Sequence, residues 1–311
     1  MTDPARGPKH FSSACLLVIC FLPALADAAF VRANCRGIQK FSTTEYTVSC
    51  QESNVLADDA DNLMLGHTRA EASLLRGMLS TSAAGGQIRD VGANGGEAGA
   101  LMKDRLILRG EWDGTVSVGV RLCVSYRFAG FGESRIHATL RTSAANDATG
   151  ENQARIRLRH RGFGGTVLAD FESRGRFSIP EVGPRPTRST IALRVTEEVH
   201  RDSPEINVRA DVAAFALPNL EPLEPVLSSF SGVIAWIVVT VPDALELSSE
   251  SGVFLSEPFD ARAVDAAAGA TGSWVIMQTA LEGGSNALRS HRDWHRVAAR
   301  SDCGHQLVVD G

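Results

Sequence analysis

The stretch Val116-Ser-Val-Gly-Val-Arg-Leu-Cys-Val-Ser-Tyr-Arg-Phe128 decides the fold. Val116, Val118, Val120, Leu122, Val124, Tyr126 and Phe128 take every second place, and Ser117, Gly119, Arg121, Cys123, Ser125 and Arg127 fill the others. Side chains of a β-strand point alternately to opposite faces, so this pattern predicts a long strand with one buried face and one wet face. Asp113-Gly114, just before it, is a hairpin-turn signal. With Leu106 to Leu108 on the far side of that turn, a local hairpin is expected.

The same period recurs on both sides. Ile136, Ala138 and Leu140 alternate with Arg135, His137, Thr139 and Arg141. Ile156 and Leu158 alternate with Arg155, Arg157 and Arg159. Val167 to Phe171, then Ile191, Leu193 and Val195, then Ile206 to Ala214 continue the series. Val233 to Val241 is apolar on both phases, which predicts a central strand covered on both sides or one whose outer face meets the C-terminal tail. Turn residues separate the runs, and few helix-length amphipathic stretches intervene. The pattern predicts an all-β chain, an antiparallel β-sandwich of jelly-roll-like type. A β-helix needs a fixed repeat, and none is present. A closed barrel would give the same alternation, because pattern alone does not report closure.

Three regions follow. Residues 1–28 read as a cleavable secretory signal: Arg6, Lys9 and His10, then an apolar run from Ala14 to Leu25, then small residues that allow a cut before Asp27 or Ala29. The apolar run is shorter than the ~20 residues a spanning helix needs. Residues 29–257 form the expected sandwich, and residues 258–311 a C-terminal tail of mixed character. Gly92 to Gly99 and Pro218 to Pro225 read as connectors. Asp61 to Leu79 fits a helix, though its apolar positions fit a strand as well.

The chain has 311 residues and a formal net charge of −5. That balance selects no polymer partner by itself. Arginine outnumbers lysine 28 to 3, a skew that follows from a GC-rich genome. Four cysteines lie beyond the signal: Cys35, Cys50, Cys123 and Cys303. In an oxidising compartment they are expected as disulfides, and four cysteines allow three pairings. Cys35–Cys50 is favoured because the two flank a short segment able to fold back as a hairpin, which leaves Cys123 for Cys303. No C-x-x-C spacing supports a zinc site.

Candidate chemistry is sparse, and no catalytic residues are assigned. Trp112, between Glu111 and Asp113, and Trp236 are candidate sugar platforms. Arg155, Arg157 and Arg159 are candidates for a basic stripe that would hold anionic glycan or phosphate groups. The competing account is a wet sheet face whose charges discourage edge association. His291 and His295 sit at helical i, i+4 spacing, a metal-ligand spacing, but they lack the glutamate of H-E-x-x-H and an evident third ligand. A solvated, charged helix is the better account of that segment, because it is arginine-rich throughout. Gly162-Phe-Gly-Gly165 and Gly130-Phe-Gly132 lack the helix start and lysine of a phosphate loop and read as hairpin turns. No cofactor is implied. Aromatic stacking partners for nucleic acid are missing.

The Asp113-Gly-Thr115 turn, the strand after it and the ending Val241-Pro-Asp-Ala-Leu-Glu-Leu-Ser-Ser-Glu-Ser-Gly-Val-Phe-Leu255 resemble the uncharacterised exported β-sandwich domains of proteobacteria that often precede a PEP-CTERM sorting anchor. No Pro-Glu-Pro signal and closing apolar helix follow Phe259, so the resemblance implies a member that is released and not anchored. It brings no catalytic residues. The expectation is a bacterial protein, secreted or periplasmic, with a non-catalytic structural or binding role and a glycan or envelope component as partner. A lectin-like carbohydrate-binding module is the first alternative, and a secreted, metal-dependent hydrolase the second.

Overall fold

A computed structural model of the chain describes residues 29–57, 62–88, 92–130, 132–144, 150–161, 166–175, 177–178, 185–217, 226–257 and 307–310. The expected signal at 1–28 lies outside them, as do the Pro218 to Pro225 connector and most of the tail. No helix occurs among the described residues. Two sheets pack face to face, as expected of an antiparallel β-sandwich.

The front sheet holds β1 (Phe30–Cys35), β2 (Ile38–Ser42), β7 (Gly96–Arg109), β9 (Glu133–Ala144), β10 (Asn152–Arg161), β11 (Thr166–Arg174), β13 (Arg185–Pro186), β15 (Glu205–Leu217) and β17 (Glu246–Ser249). The back sheet holds β3 (Thr47–Ala57), β4 (Asn62–Ser73), β5 (Met78–Ile88), β6 (Gly92–Asn94), β8 (Thr115–Gly130), β12 (Phe177–Ser178), β14 (Arg188–His200), β16 (Val226–Pro242) and β18 (Leu307–Asp310). Across the front sheet the order is β13-β11-β10-β9-β15-β7-β1-β2, with β17 also on β7. Across the back sheet it is β12-β14-β8-β16-β5-β4-β3, with β18 on β16 and β6 on β5.

The opening stretch is β8, and its even positions do point inward. Val118, Val120, Leu122, Val124, Tyr126 and Phe128 are all buried in the main core, opposite Ile136, Leu140, Ile156 and Val208 of the front sheet. Each fully buried aliphatic side chain of this kind stabilises the fold by about 1.5–3 kcal/mol. Tyr126 keeps its hydroxyl satisfied by donating to the Pro186 carbonyl at 3.2 Å. The odd positions depart from expectation. Cys123 and Ser125 are buried although they face away from the front sheet.

Several local expectations are corrected. The Asp113-Gly114 turn closes no hairpin: it carries the chain from β7 in the front sheet to β8 in the back sheet. Gly130 to Gly132 likewise joins β8 to β9 across the sandwich. A turn signal reports a reversal of direction, and a reversal between stacked sheets satisfies it equally well. β10 and β11, on either side of Gly162-Phe-Gly-Gly165, pair antiparallel, and those four residues themselves lie outside the described residues. Asp61 to Leu79 contributes β4 and the start of β5, not a helix, and Gly92 to Gly99 is not a connector but β6 and the start of β7. Gly96 lies where an added Cβ would meet the Ala84 carbonyl oxygen at 2.7 Å, so a bare backbone is needed for close approach of the sheets there.

Cys35 and Cys50 form a disulfide with Cα atoms 5.9 Å apart. They do not close a hairpin. Cys35 ends β1 in the front sheet and Cys50 lies on β3 in the back sheet, so the bond ties the two layers at one margin of the sandwich. Cys123 is also disulfide-bonded. From the tail, β18 joins the back sheet parallel to β16, with Leu307 opposite Val239.

Candidate functional site: the arginine face of the front sheet

The odd-numbered residues of β7, β9, β10 and β15 point away from the core, because the even ones fill it. The outward positions of β9, β10 and β15 carry seven arginines against three acids. Register sets them in transverse rows. Arg159 lies opposite Arg135, which lies opposite Phe215, which lies opposite Glu97. One row further along, Asp170, Arg157, His137 and Ala213 are consecutive neighbours.

Glu133 anchors one end. It is within 2.8 Å of the Arg159 Nε, 3.5 Å of Arg161 and hydrogen-bonded by Arg135. Burial pushes its pKa up, but the hydrogen bonds and charges of Arg135 and Arg159 outweigh this and hold the carboxyl below its ordinary range. It is therefore ionised and is not a proton donor at neutral pH. Glu172 sits 3.4 Å from Arg155 and 3.6 Å from Arg157. Asp211, deeper in the face, has its pKa raised by burial against the opposing pull of a Thr139 hydrogen bond and of Arg209, Arg141 and Arg155.

Where these rows meet the β1–β2 turn, a cavity of about 320 Å³ opens, lined by Arg36, Gly95, Gly96, Glu97, Glu133, Arg135, His137, Phe215 and Leu217. Its construction is local. Arg36 takes a positive φ of 42° in the turn, and its N–H donates to the Glu97 carbonyl at 3.0 Å, which hangs the turn over β7. Gly95 leaves space beside the rim, because an added Cβ there would meet the Leu217 Cδ2 at 2.7 Å. His137 packs its ring against Phe215 with centroids 5.3 Å apart. Burial, then the charges of Arg155, Arg157 and Arg135, lower the His137 pKa, so its imidazole is neutral at neutral pH. Leu217 is about half exposed at the rim. The cavity thus offers guanidinium donors, a neutral imidazole and an apolar ring face side by side.

Of the residues singled out from sequence, Arg155, Arg157 and Arg159 do share this face, each beside an acid. Trp236 is buried on the far side of the molecule, facing outward from the back sheet. Trp112 is half-buried and packs on the core, with no hydrogen-bond partner for its Nε1 among the described residues. Neither joins the cavity. His291, His295 and Cys303 lie outside the described residues. Among the described residues no group of three His, Cys, Asp or Glu side chains is placed to hold a metal ion. Arg36, Glu133, Arg135, His137 and Phe215 were not singled out from sequence. One signal was present: Phe215 and Leu217 fall on the otherwise polar phase of β15, after Asn207, Arg209 and Asp211. Searches of family models, curated proteins and solved structures return no match to this chain.

Proposed function

We propose that the chain is an exported binding module, and that the arginine face of the front sheet holds an acidic glycan, with one carboxylate-bearing sugar seated in the cavity beside Phe215. The observation that carries this reading is the register of β9, β10 and β15, which sets Arg135 and Phe215 together in the lining of a hollow on the sheet face, with Arg157 and Arg159 on the neighbouring strand as the direct partners of His137 and Arg135. Guanidinium groups bind carboxylates in a paired geometry, and an aromatic face accepts the apolar side of a sugar ring. A binding role fits better than glycoside hydrolysis. Hydrolysis needs a protonated carboxyl beside a second carboxylate, whereas Glu133 is held ionised by its arginines.

Export is supported by the n-region, apolar run and small-residue cleavage site at the start of the chain, and by the Cys35–Cys50 bond, which persists in oxidising compartments. The sugar-binding reading rests on Phe215 and not on Trp112 or Trp236, since Trp236 has no open face.

The test is calorimetric titration of the purified protein with a polyuronate and with a neutral polysaccharide of similar length. The expected result is binding of the acidic polymer alone, weakened by added salt. Arg135→Gln and Phe215→Ala are each expected to weaken it about tenfold or more, the scale of one charged hydrogen bond or one stacking contact. Equal binding of both polymers, or no loss in either variant, would overturn the assignment. Sequencing the N-terminus of the exported form is expected to find Asp27 or Ala29 first.

A further inference from the structure

The back sheet has an apolar outer face that the described strands leave without a layer above it. Along β16, Val233, Ala235, Ile237, Val239 and Val241 face the front sheet and belong to the main core. Ile234, Trp236 and Val238 point the other way. They form a second cluster with Met78 of β5 and Cys123 of β8, and all five are at most 5 % exposed. The β-strands beside β16 are β8, β5 and β18, which lie in its own plane. Burial on that face therefore needs a cover, and the chain supplies one candidate: residues 258–306.

Three observations tie that segment to this face. Its start is fixed, because the Glu257 N–H donates to the Leu75 carbonyl at 2.9 Å, in the turn that leads into Met78. Its end is fixed, because Leu307 pairs with Val239 and β18 runs parallel to β16. The parallel sense makes the residues before Leu307 approach from the Trp236 side. Finally, Cys123 is disulfide-bonded, and neither of the other described cysteines is its partner, since Cys35 and Cys50 hold each other. Cys123 lies directly opposite Trp236. From Leu307 to Cys123 is about 10 Å along β16 and about 10 Å across two strand spacings, ~14 Å in all, while the four residues from Cys303 to Leu307 span up to about 14 Å and a disulfide bridges a further ~5.5 Å between Cα atoms. Cys303 is thus within reach of Cys123.

We infer that residues 258–306 lie across the outer face of the back sheet as a third layer, covering Met78, Ile234, Trp236 and Val238, and that a Cys123–Cys303 disulfide pins them there. The tail is then part of the domain, and the sandwich gains a second core one strand-thickness from the first. The inference is independent of the ligand proposed for the front sheet.

The decisive experiment is peptide mapping of the intact, non-reduced protein after alkylation of free thiols. Trypsin is expected to release Leu122–Arg127 joined to Ser301–Gly311. Recovery of Cys123 alkylated, or joined to any other cysteine, overturns the inference. A second measurement addresses the cover itself. Hydroxyl-radical footprinting of the full-length protein is expected to leave Met78 and Trp236 unmodified. In a chain ending at Glu257, which keeps only Trp112 and Trp236, tryptophan emission should shift to the red and binding of an apolar dye should rise severalfold. Ready labelling of Trp236 in the full chain, or unchanged emission in a folded truncated chain, would show that the tail is not the cover.

Discussion

The Ser251 hydroxyl donates to Asp104 Oδ2 at 2.5 Å, across 147 positions of sequence. Asp104 is buried on β7, and it also accepts from the backbone N–H groups of Ser251 and Arg105, at 3.4 and 2.8 Å. Around this contact β17 and the segment after it touch both sheets. Ser248 Oγ donates to the Ile107 carbonyl of the front sheet at 3.2 Å, and the Leu255 N–H donates to the Leu74 carbonyl of the back sheet at 3.1 Å.

The clasp makes stability depend on pH in a definite direction. Burial raises the Asp104 pKa despite the hydrogen bonds from Ser251 and Arg105. A carboxyl with a raised folded-state pKa contributes stability that is full below its unfolded value and is lost as pH rises through the folded one. Asp104→Asn keeps the neutral shape, so denaturant unfolding between about pH 4 and pH 7 should show a smaller loss with rising pH than in the native protein. Ser251→Ala should cost about 1–3 kcal/mol, because it leaves a buried carboxylate oxygen without its donor.

Acid should weaken the fold by a different route. The pKa values of His67, His137 and His160 are all lowered from 6.5, in each case first by burial. Below that value the unfolded chain takes up protons that the folded chain refuses, so stability falls as pH drops from about 6.5 toward the lowered values. Replacing His160, which stacks on Phe128 at 5.7 Å, with Phe should flatten the acid limb of a melting-temperature profile. An unchanged limb in that variant would assign the dependence to His67 and His137.

Removing the Cys35–Cys50 bond should lower stability by about 3 kcal/mol, the chain-entropy value for a loop of this size. The paired variant Cys35→Ser/Cys50→Ser, measured by guanidinium unfolding, tests this. Because the bond links β1 to β3, the loss should appear as separation of the margin at which the two sheets meet. Amides of β1 and β2 should then exchange faster than those of β8 and β16.

Glu197 occupies an inward position of β14 in the middle of the apolar core. Its Oε1 accepts from Thr142 Oγ1 and, at 2.8 Å, from Asn152 Nδ2, while Oε2 has no hydrogen-bond partner among the described residues. Glu197→Gln keeps an acceptor for Thr142 and Asn152 and adds an amide donor at the unpartnered Oε2 position, and should stay within about 1 kcal/mol of the native stability. Glu197→Ala strands both donors and should cost about 2–4 kcal/mol. Thermal unfolding of the two variants side by side gives the comparison, and a Gln variant less stable than the Ala variant would contradict it.

The strands were legible in the sequence because their period was. β8, β9, β10, β14 and β15 each alternate polar and apolar residues over most of their length, and the double-phase run at Val233 to Val241 marked the strand with burial on both faces. Partnership was not legible. Asp113-Gly114 looks the same whether the chain turns within one sheet or passes to the other, and only long-range registers such as Val124 with Ile191 decide between them. The small residues of Gly92 to Gly99 resembled a linker because they carry no pattern, yet their smallness is what lets β7 approach β5. The candidate site was legible in part. Arg155, Arg157 and Arg159 were visible as one stripe. Their meeting with Phe215 and the Arg36 turn depends on β9 and β15 being neighbours, which no local signal reports.

The place of β8 has a consequence for how this protein is made. Its two partners, β14 and β16, begin only at Arg188 and Val226, so a long strand with a fully apolar inner face emerges well before anything can pair with it. Folding is governed by distant contacts and is slow on that account. During synthesis, residues 116–128 stay unpaired until those partners follow, exposed to association with other copies. A chaperone that holds the chain open until Pro242 has been delivered would serve this sequence better than one that hastens early collapse.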